Sequence, residues 1–196
     1  MLRRSLVLVA MAVIAATAAF VAPANAAKPI GGSFSTTLVL APTVVPVTVD
    51  GLNFTFTVSG SLDASVNHFQ VSGGHVVAVA TASGTLTVTE PTLGNATITV
   101  TSARLVLNAR VTADCSGHLR IDLTGVLQVN ATVEFTILGV SEAIQINETV
   151  PLNASLGYAA TTQQQQSLIC DIATLLGNRS SPNALADKLN TLLKRL

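Results

Sequence analysis

The chain has 196 residues, ten basic and ten acidic side chains, and a charged fraction of only 10%. No excess of basic residues exists, which excludes a surface that binds nucleic acid or an anionic membrane through charge. Thr and Ser occupy the polar positions instead, as is common in proteins that work outside the cell.

The N-terminus has the three-part organisation of a secretory signal peptide. Arg3 and Arg4 form a short positive region, an uninterrupted apolar stretch follows over 6–21, and Ala24-Asn25-Ala26 places small residues before a cleavage point. The alternative is an uncleaved membrane anchor, but about 16 apolar residues fall short of the roughly 20 that a spanning helix needs. We predict that residues 1–26 are a signal peptide, and that the mature chain has no transmembrane segment and is secreted or held at the cell surface.

Two cysteines, Cys115 and Cys170, remain after cleavage. An exported protein meets an oxidising compartment, and two is the number that forms one bridge. The alternative is two buried free thiols. We predict a disulfide, which in the chain-entropy model would stabilise the fold by about 4 kcal/mol because it closes a long loop.

Two long runs of strict alternation dominate the middle of the chain and predict strands with one buried face. They span 52–66 and 119–137, and apolar residues keep their parity through Gly60 and Gly125. Each glycine therefore lies either in a three-residue loop or in a kinked continuous strand.

Turn signals divide the remaining β region, 27–160. Gly73-Gly74 predicts a two-residue turn that sets Val71 opposite Val76, and Ser83-Gly84 predicts a second turn. A change of parity between Ser102 and Arg104 indicates a bulge. We predict a mainly β fold of eight to ten antiparallel strands, long and bent, in a barrel or a sandwich.

The tail, 161–196, changes to a helical pattern and predicts two short helices packed on the β domain. Thr162 has the spacing of a capping box with Gln165, and Gly177 occupies the position of a C-terminal capping glycine. Ser181-Pro182 begins a second helix. Its apolar face contains Leu185, Leu189, Leu192, Leu193 and Leu196.

Two segments resemble a recurring pattern in exported bacterial proteins of unassigned function. They are Phe69 with the run 73–80 (GGHVVAVA) and Gly84-Thr85-Leu86, and the Cys-bearing, Leu-rich segment 168–176 (LICDIATLL). The resemblance implies a β-rich domain with a helical C-terminal tail. It implies no activity for any residue.

Chemistry-bearing residues form no catalytic or metal-binding pattern. The pairing across Gly73-Gly74 sets His68 opposite Val79, away from His75, and a zinc site needs several converging ligands. Glu142 and Glu148 share the parity of inward residues, but stand about 20 Å apart along one strand, too far to flank one scissile bond. We therefore predict no enzyme, no cofactor and no metal site.

Two functions from different classes remain open. In the first, the sheet encloses an apolar small molecule or lipid, and the C-terminal helices close the cavity. In the second, a structural or cell-surface protein has a solid β core and acts through its Thr-rich exterior. The volume of the interior separates them, and the sequence predicts no nucleic-acid partner for either.

Overall fold

The computed structural model describes residues 34–49, 51–137 and 140–196. Within them, six antiparallel strands follow one another in chain order around a ring, and two helices complete the chain. The predicted class, mainly antiparallel β with two short C-terminal helices, is confirmed. The predicted signal peptide lies outside the described residues. The elements are β1 (Phe34–Val49), β2 (Leu52–Ser72), β3 (His75–Glu90), β4 (Gly94–Ala113), β5 (His118–Ile137), β6 (Val140–Ala159), α1 (Gln163–Gly177) and α2 (Pro182–Leu193).

The strands of the described chain are fewer and longer than predicted, because three glycines continue a strand instead of ending it. Gly60 lies inside β2 and Gly125 inside β5. The turn predicted at Ser83-Gly84 is wrong, since β3 runs through it to Glu90. A Cβ at Gly84 would lie 2.6 Å from the carbonyl oxygen of Ser61. Glycine therefore permits a close approach between the paired backbones of β2 and β3 here.

The hairpin and bulge predictions are confirmed by the observed register. Val71 pairs with Val76 and His68 pairs with Val79 across the Gly73-Gly74 turn. In β4 the register shifts at Ser102, whose φ of 52° belongs to a bulged residue.

The ring closes through two limited contacts, one between β4 and β5 and one between β1 and β6. Strands β4 and β5 pair only between 108–113 and 119–124, and β1 meets β6 only at Val39 and Leu40. Beyond these points the sheet β1–β4 faces the hairpin β5–β6 as in a sandwich. Phe56 and Phe135 pack between them, with ring centroids 5.2 Å apart. We call this divided part, residues 41–49, 94–107, 125–137 and 140–151, the open end.

The interior is one continuous apolar cluster built mainly from the inward-facing apolar residues of the strands. Complete burial of each Leu, Ile or Phe contributes about 1.5–3 kcal/mol before the loss of conformational entropy is counted. The largest fully buried side chains of the strands are Phe56, Phe135, Leu38, Leu62, Leu86, Ile98, Leu105, Leu107, Ile121, Leu123 and Ile146.

The helix boundaries follow side-chain and backbone caps. The Thr162 hydroxyl accepts a hydrogen bond from the backbone N–H of Gln165, and Ser181 caps α2 in the same way. The capping role predicted for Gly177 is wrong. The chain leaves α1 two residues later through Arg179, whose φ of 49° is left-handed, and the N–H of Ser180 bonds to the carbonyl of Leu175.

The two helices pack against the strands at the end of the ring where β4 pairs with β5. Helix α2 contacts β2 and β3, and α1 contacts β4 and β5. Their buried residues include Ile169, Ile172, Leu189, Leu192 and Leu193. Neither described helix is long and apolar enough to cross a membrane.

Candidate functional site: a groove where β1 meets β6

A groove of about 430 Å³ lies on the outer surface beside the short contact between β1 and β6. The two strands diverge on both sides of Val39 and Leu40, which leaves space between their outward-facing side chains. We call this feature the seam groove. Its outward-facing side chains are hydroxyls, an amide, a carboxylate and one valine: Thr37, Val39, Asp122, Thr124, Asn153 and Ser155. Leu123 and Ala154 complete the lining, so the groove presents apolar surface as well as polar groups.

Asp122 is the charged group of the seam groove, and its neighbours keep it ionised. The Ser155 hydroxyl donates to its Oδ1 at 2.8 Å, and Nε of Arg120 donates to the same oxygen at 2.9 Å. These hydrogen bonds, helped by the charge of Arg110 on β4, hold the pKa of Asp122 below its usual value. The groove therefore combines one fixed negative charge with neutral donors and acceptors.

Two further depressions extend the polar outer surface on either side. One, of about 270 Å³, lies on β1 and β2 and shares Thr37 with the seam groove. In it the Thr37 hydroxyl donates to Asp63 at 3.0 Å. The other, of about 540 Å³, follows the hairpin β5–β6, where the side chains of Gln128, Asn130 and Gln145 line it. All three depressions present side chains that hydrogen-bond to neutral polar groups.

The histidines do not converge. His68 and His75 lie on opposite sides of the Gly73-Gly74 turn with different partners, and His118 begins β5. Across the part of the chain that the structure describes, no group of three His, Cys, Asp or Glu side chains is arranged around a common metal position.

One Ser, Asp and His cluster exists in the turn between β4 and β5, although the sequence analysis did not anticipate it. Ser116 Oγ and the backbone N–H of His118 donate to Oδ1 of Asp114, at 2.9 and 3.1 Å. The imidazole Nδ1 lies 3.4 Å from Oδ2 of the same carboxylate. Both partners bind the aspartate, whereas activation of a serine needs histidine between the other two groups. The arrangement holds a turn together.

Glu142 and Glu148 are half-buried on the inward-facing parity of β6, as the alternation indicates. Glu148 lies opposite Val129, and Glu142 lies opposite Phe135. They lie at separate positions along one strand, opposite different residues of β5, and do not form a pair of carboxylates.

The sulfur atoms of Cys115 and Cys170 lie at bonding distance, as predicted. The contact joins the turn before β5 to the middle of α1. Beside it, Nε2 of Gln166 donates to the carbonyl of Cys115 at 3.3 Å. The pair therefore fixes the first tail helix to the strands and contains no free thiol for chemistry.

The sequence pattern did not predict the seam groove. Its residues come from three different strands. In the sequence, each of these residues has the pattern of an ordinary outward-facing strand position. Searches against protein-family models, curated proteins and solved structures find no match to this chain.

Proposed function

We propose that this is a secreted or cell-surface protein that acts through its hydroxyl- and amide-rich outer face, over a solid β core. The proposal rests on the contrast between the two sides of the sheet. Inward side chains such as Leu38, Leu62 and Ile146 are fully buried in one cluster, whereas the three depressions lie on the outer side. Export is supported by the predicted signal peptide and the paired cysteines.

The seam groove is the part of this face that we expect to make contact with a partner. It brings hydroxyl, amide and carboxylate groups from β1, β5 and β6 together in a concave surface. Such groups recognise neutral polar partners through hydrogen bonds, and the apolar part of the lining, which includes Val39, Leu123 and Ala154, adds contact area beside them.

The test is binding of the purified mature protein to isolated envelope from the cells that produce it. We expect saturable binding that weakens when Asn153 and Ser155 are both changed to Ala. The control is Thr97→Ala, which removes an exposed outer hydroxyl from β4, away from the groove. Loss of binding in the control as well would mean that the groove is not the contact surface.

The same preparation tests the apolar-ligand hypothesis, which remains a prediction. A ligand site for a small molecule typically needs about 300–1,000 Å³ of lined space. Native mass spectrometry of protein purified from its own host would reveal a co-purifying lipid. Retention of such a lipid, with no binding to the envelope, would refute our proposal.

A further inference from the structure

Among the residues that the structure describes, four strands at the open end have an edge without a ladder partner. Pairing between β4 and β5 stops at Asn108 and Thr124, and pairing between β1 and β6 is limited to two residue pairs. Unpaired N–H and C=O groups along a strand edge are a template for another strand, and natural proteins usually block them.

Three of these four edges carry a feature that blocks pairing. The edge of β1 contains Pro42 and Pro46, which have no N–H to donate. The edge of β4 is bent by the bulge at Ser102. The edge of β6 has Pro151 and the inward-facing, half-buried Glu148, and inward charges oppose addition of a strand.

The edge of β5 has no such feature over residues 126–133 (VLQVNATV). This segment has no proline and no charge, and its register with β6 is unbroken from one end to the other. Its outward side chains, Val126, Gln128 and Asn130, are exposed. An uncharged segment of high β-propensity at a free edge would promote aggregation unless something covers it.

We propose that the β5 edge of a second copy of this chain covers it, in antiparallel pairing about a two-fold axis near Asn130. Such a contact is isologous, so one unblocked edge is sufficient for a closed dimer. It joins the two hairpins into one sheet in the order β6, β5, β5, β6. The proposal does not rest on the seam groove, which lies at a different place on the ring.

The placement of charge favours this orientation. Glu134 is the first charged residue after the unblocked segment. In the antiparallel arrangement it lies across from Val126 of the partner, and about 26 Å along the strand from the other Glu134. Parallel pairing would place the two carboxylates directly side by side, which is destabilising. A mature net charge of only −2, after cleavage removes two basic residues, adds little repulsion between copies.

The test is sedimentation velocity of the mature protein over a range of concentrations, with two lysine variants. Asn130→Lys places two ammonium groups together at the axis, and we expect the dimer dissociation constant to rise about tenfold or more. Added salt should partly reverse the increase. The matched control is Asn147→Lys, the cross-strand neighbour of Asn130 on the same outer face, which lies one strand further from the axis and should change the constant little.

Hydrogen exchange gives a readout that does not depend on any variant folding. In a dimer, the amides of 126–133 that point away from β6 become protected as the protein concentration increases. A monomer at every concentration, open-ended aggregates without a defined dimer, or a dimer that is equally sensitive to both lysine variants would each overturn the proposal.

Discussion

The contact between Asn190 of α2 and the backbone of Phe69 provides the sharpest test of how the tail is held. Within the described part of the chain, strand β2 pairs with β1 only as far as Val66, and no described strand lies beside its edge at Phe69 on that side. The Asn190 side chain takes that place. Its Oδ1 accepts the Phe69 N–H at 2.7 Å, and its Nδ2 donates to the Phe69 carbonyl at 2.8 Å.

Replacing Asn190 by Ala removes both hydrogen bonds and leaves two backbone groups of a buried residue unpaired. A typical hydrogen bond contributes about 0.5–1.5 kcal/mol, and an unsatisfied buried partner costs about 1–3 kcal/mol. We expect a loss of about 3 kcal/mol in the free energy of unfolding. For a domain of this size, that corresponds to a decrease of about 6–12 °C in Tm.

Asn190→Asp distinguishes the contributions of the two hydrogen bonds. The carboxylate still accepts from the Phe69 N–H, but it has no hydrogen for the carbonyl oxygen and repels it. Only the protonated acid restores the donor, so folding raises the pKa of this Asp. The variant should therefore become more stable, relative to wild type, as the pH falls through that raised pKa.

The assay is equilibrium unfolding in urea, followed by circular dichroism, at neutral and acidic pH. Asn183→Ala is the control, because Asn183 is exposed on the same helix, and we expect a change within about 0.5 kcal/mol. If Asn190→Ala lies within the same range, the amide contributes nothing to stability and the reasoning is wrong.

Four further predictions concern single features of the fold. Gly84→Ala should lower the free energy of unfolding in urea by about 1–3 kcal/mol, because its Cβ would meet backbone atoms of β2; an unchanged midpoint would contradict the close approach of the two strands. Arg179→Gly should stabilise by about 1 kcal/mol, since it relieves a left-handed φ at the end of α1; a decrease in Tm would count against this. Reducing the bridge between Cys115 and Cys170 should cost about 2–5 kcal/mol, and two reactive thiols in the unfolded, unreduced protein would refute the bridge. Burial would raise the pKa of Glu90, but hydrogen bonds from Thr92 and Leu93 outweigh it and hold that pKa below its usual value; wild type should therefore lose stability as the pH falls through that lowered pKa, and Glu90→Gln should lose less.

Local patterns were sufficient for the strand regions and for the side that each residue faces, but not for the number of strands. In 119–137, each apolar residue is two positions from the next, and a strand turns alternate side chains to opposite faces. Chain geometry around Gly73-Gly74 also fixed the pairing of Val71 with Val76, because a two-residue turn leaves one register. The caps at Thr162 and Ser181 are equally local, since the donor lies three residues from the acceptor.

The roles of glycines were less predictable, because glycine is favoured both in turns and where two backbones approach closely. Gly84 follows a serine between two apolar runs, which is typical of a turn. Its role inside β3 depends on the backbone of Ser61 passing within van der Waals contact, a fact about another strand. Arg179 likewise shows no signal, because its left-handed conformation follows from how α2 must be placed against β2.

The seam groove, the free β5 edge and the contact between Asn190 and Phe69 were decided by tertiary structure alone. The last joins residues 121 positions apart, and the first depends on where β1 and β6 meet and then diverge. Alternation determines which side chains face outward, since that is a property of each strand by itself. It does not determine which outward side chains become neighbours, because ring closure and strand divergence arise from packing between all six strands.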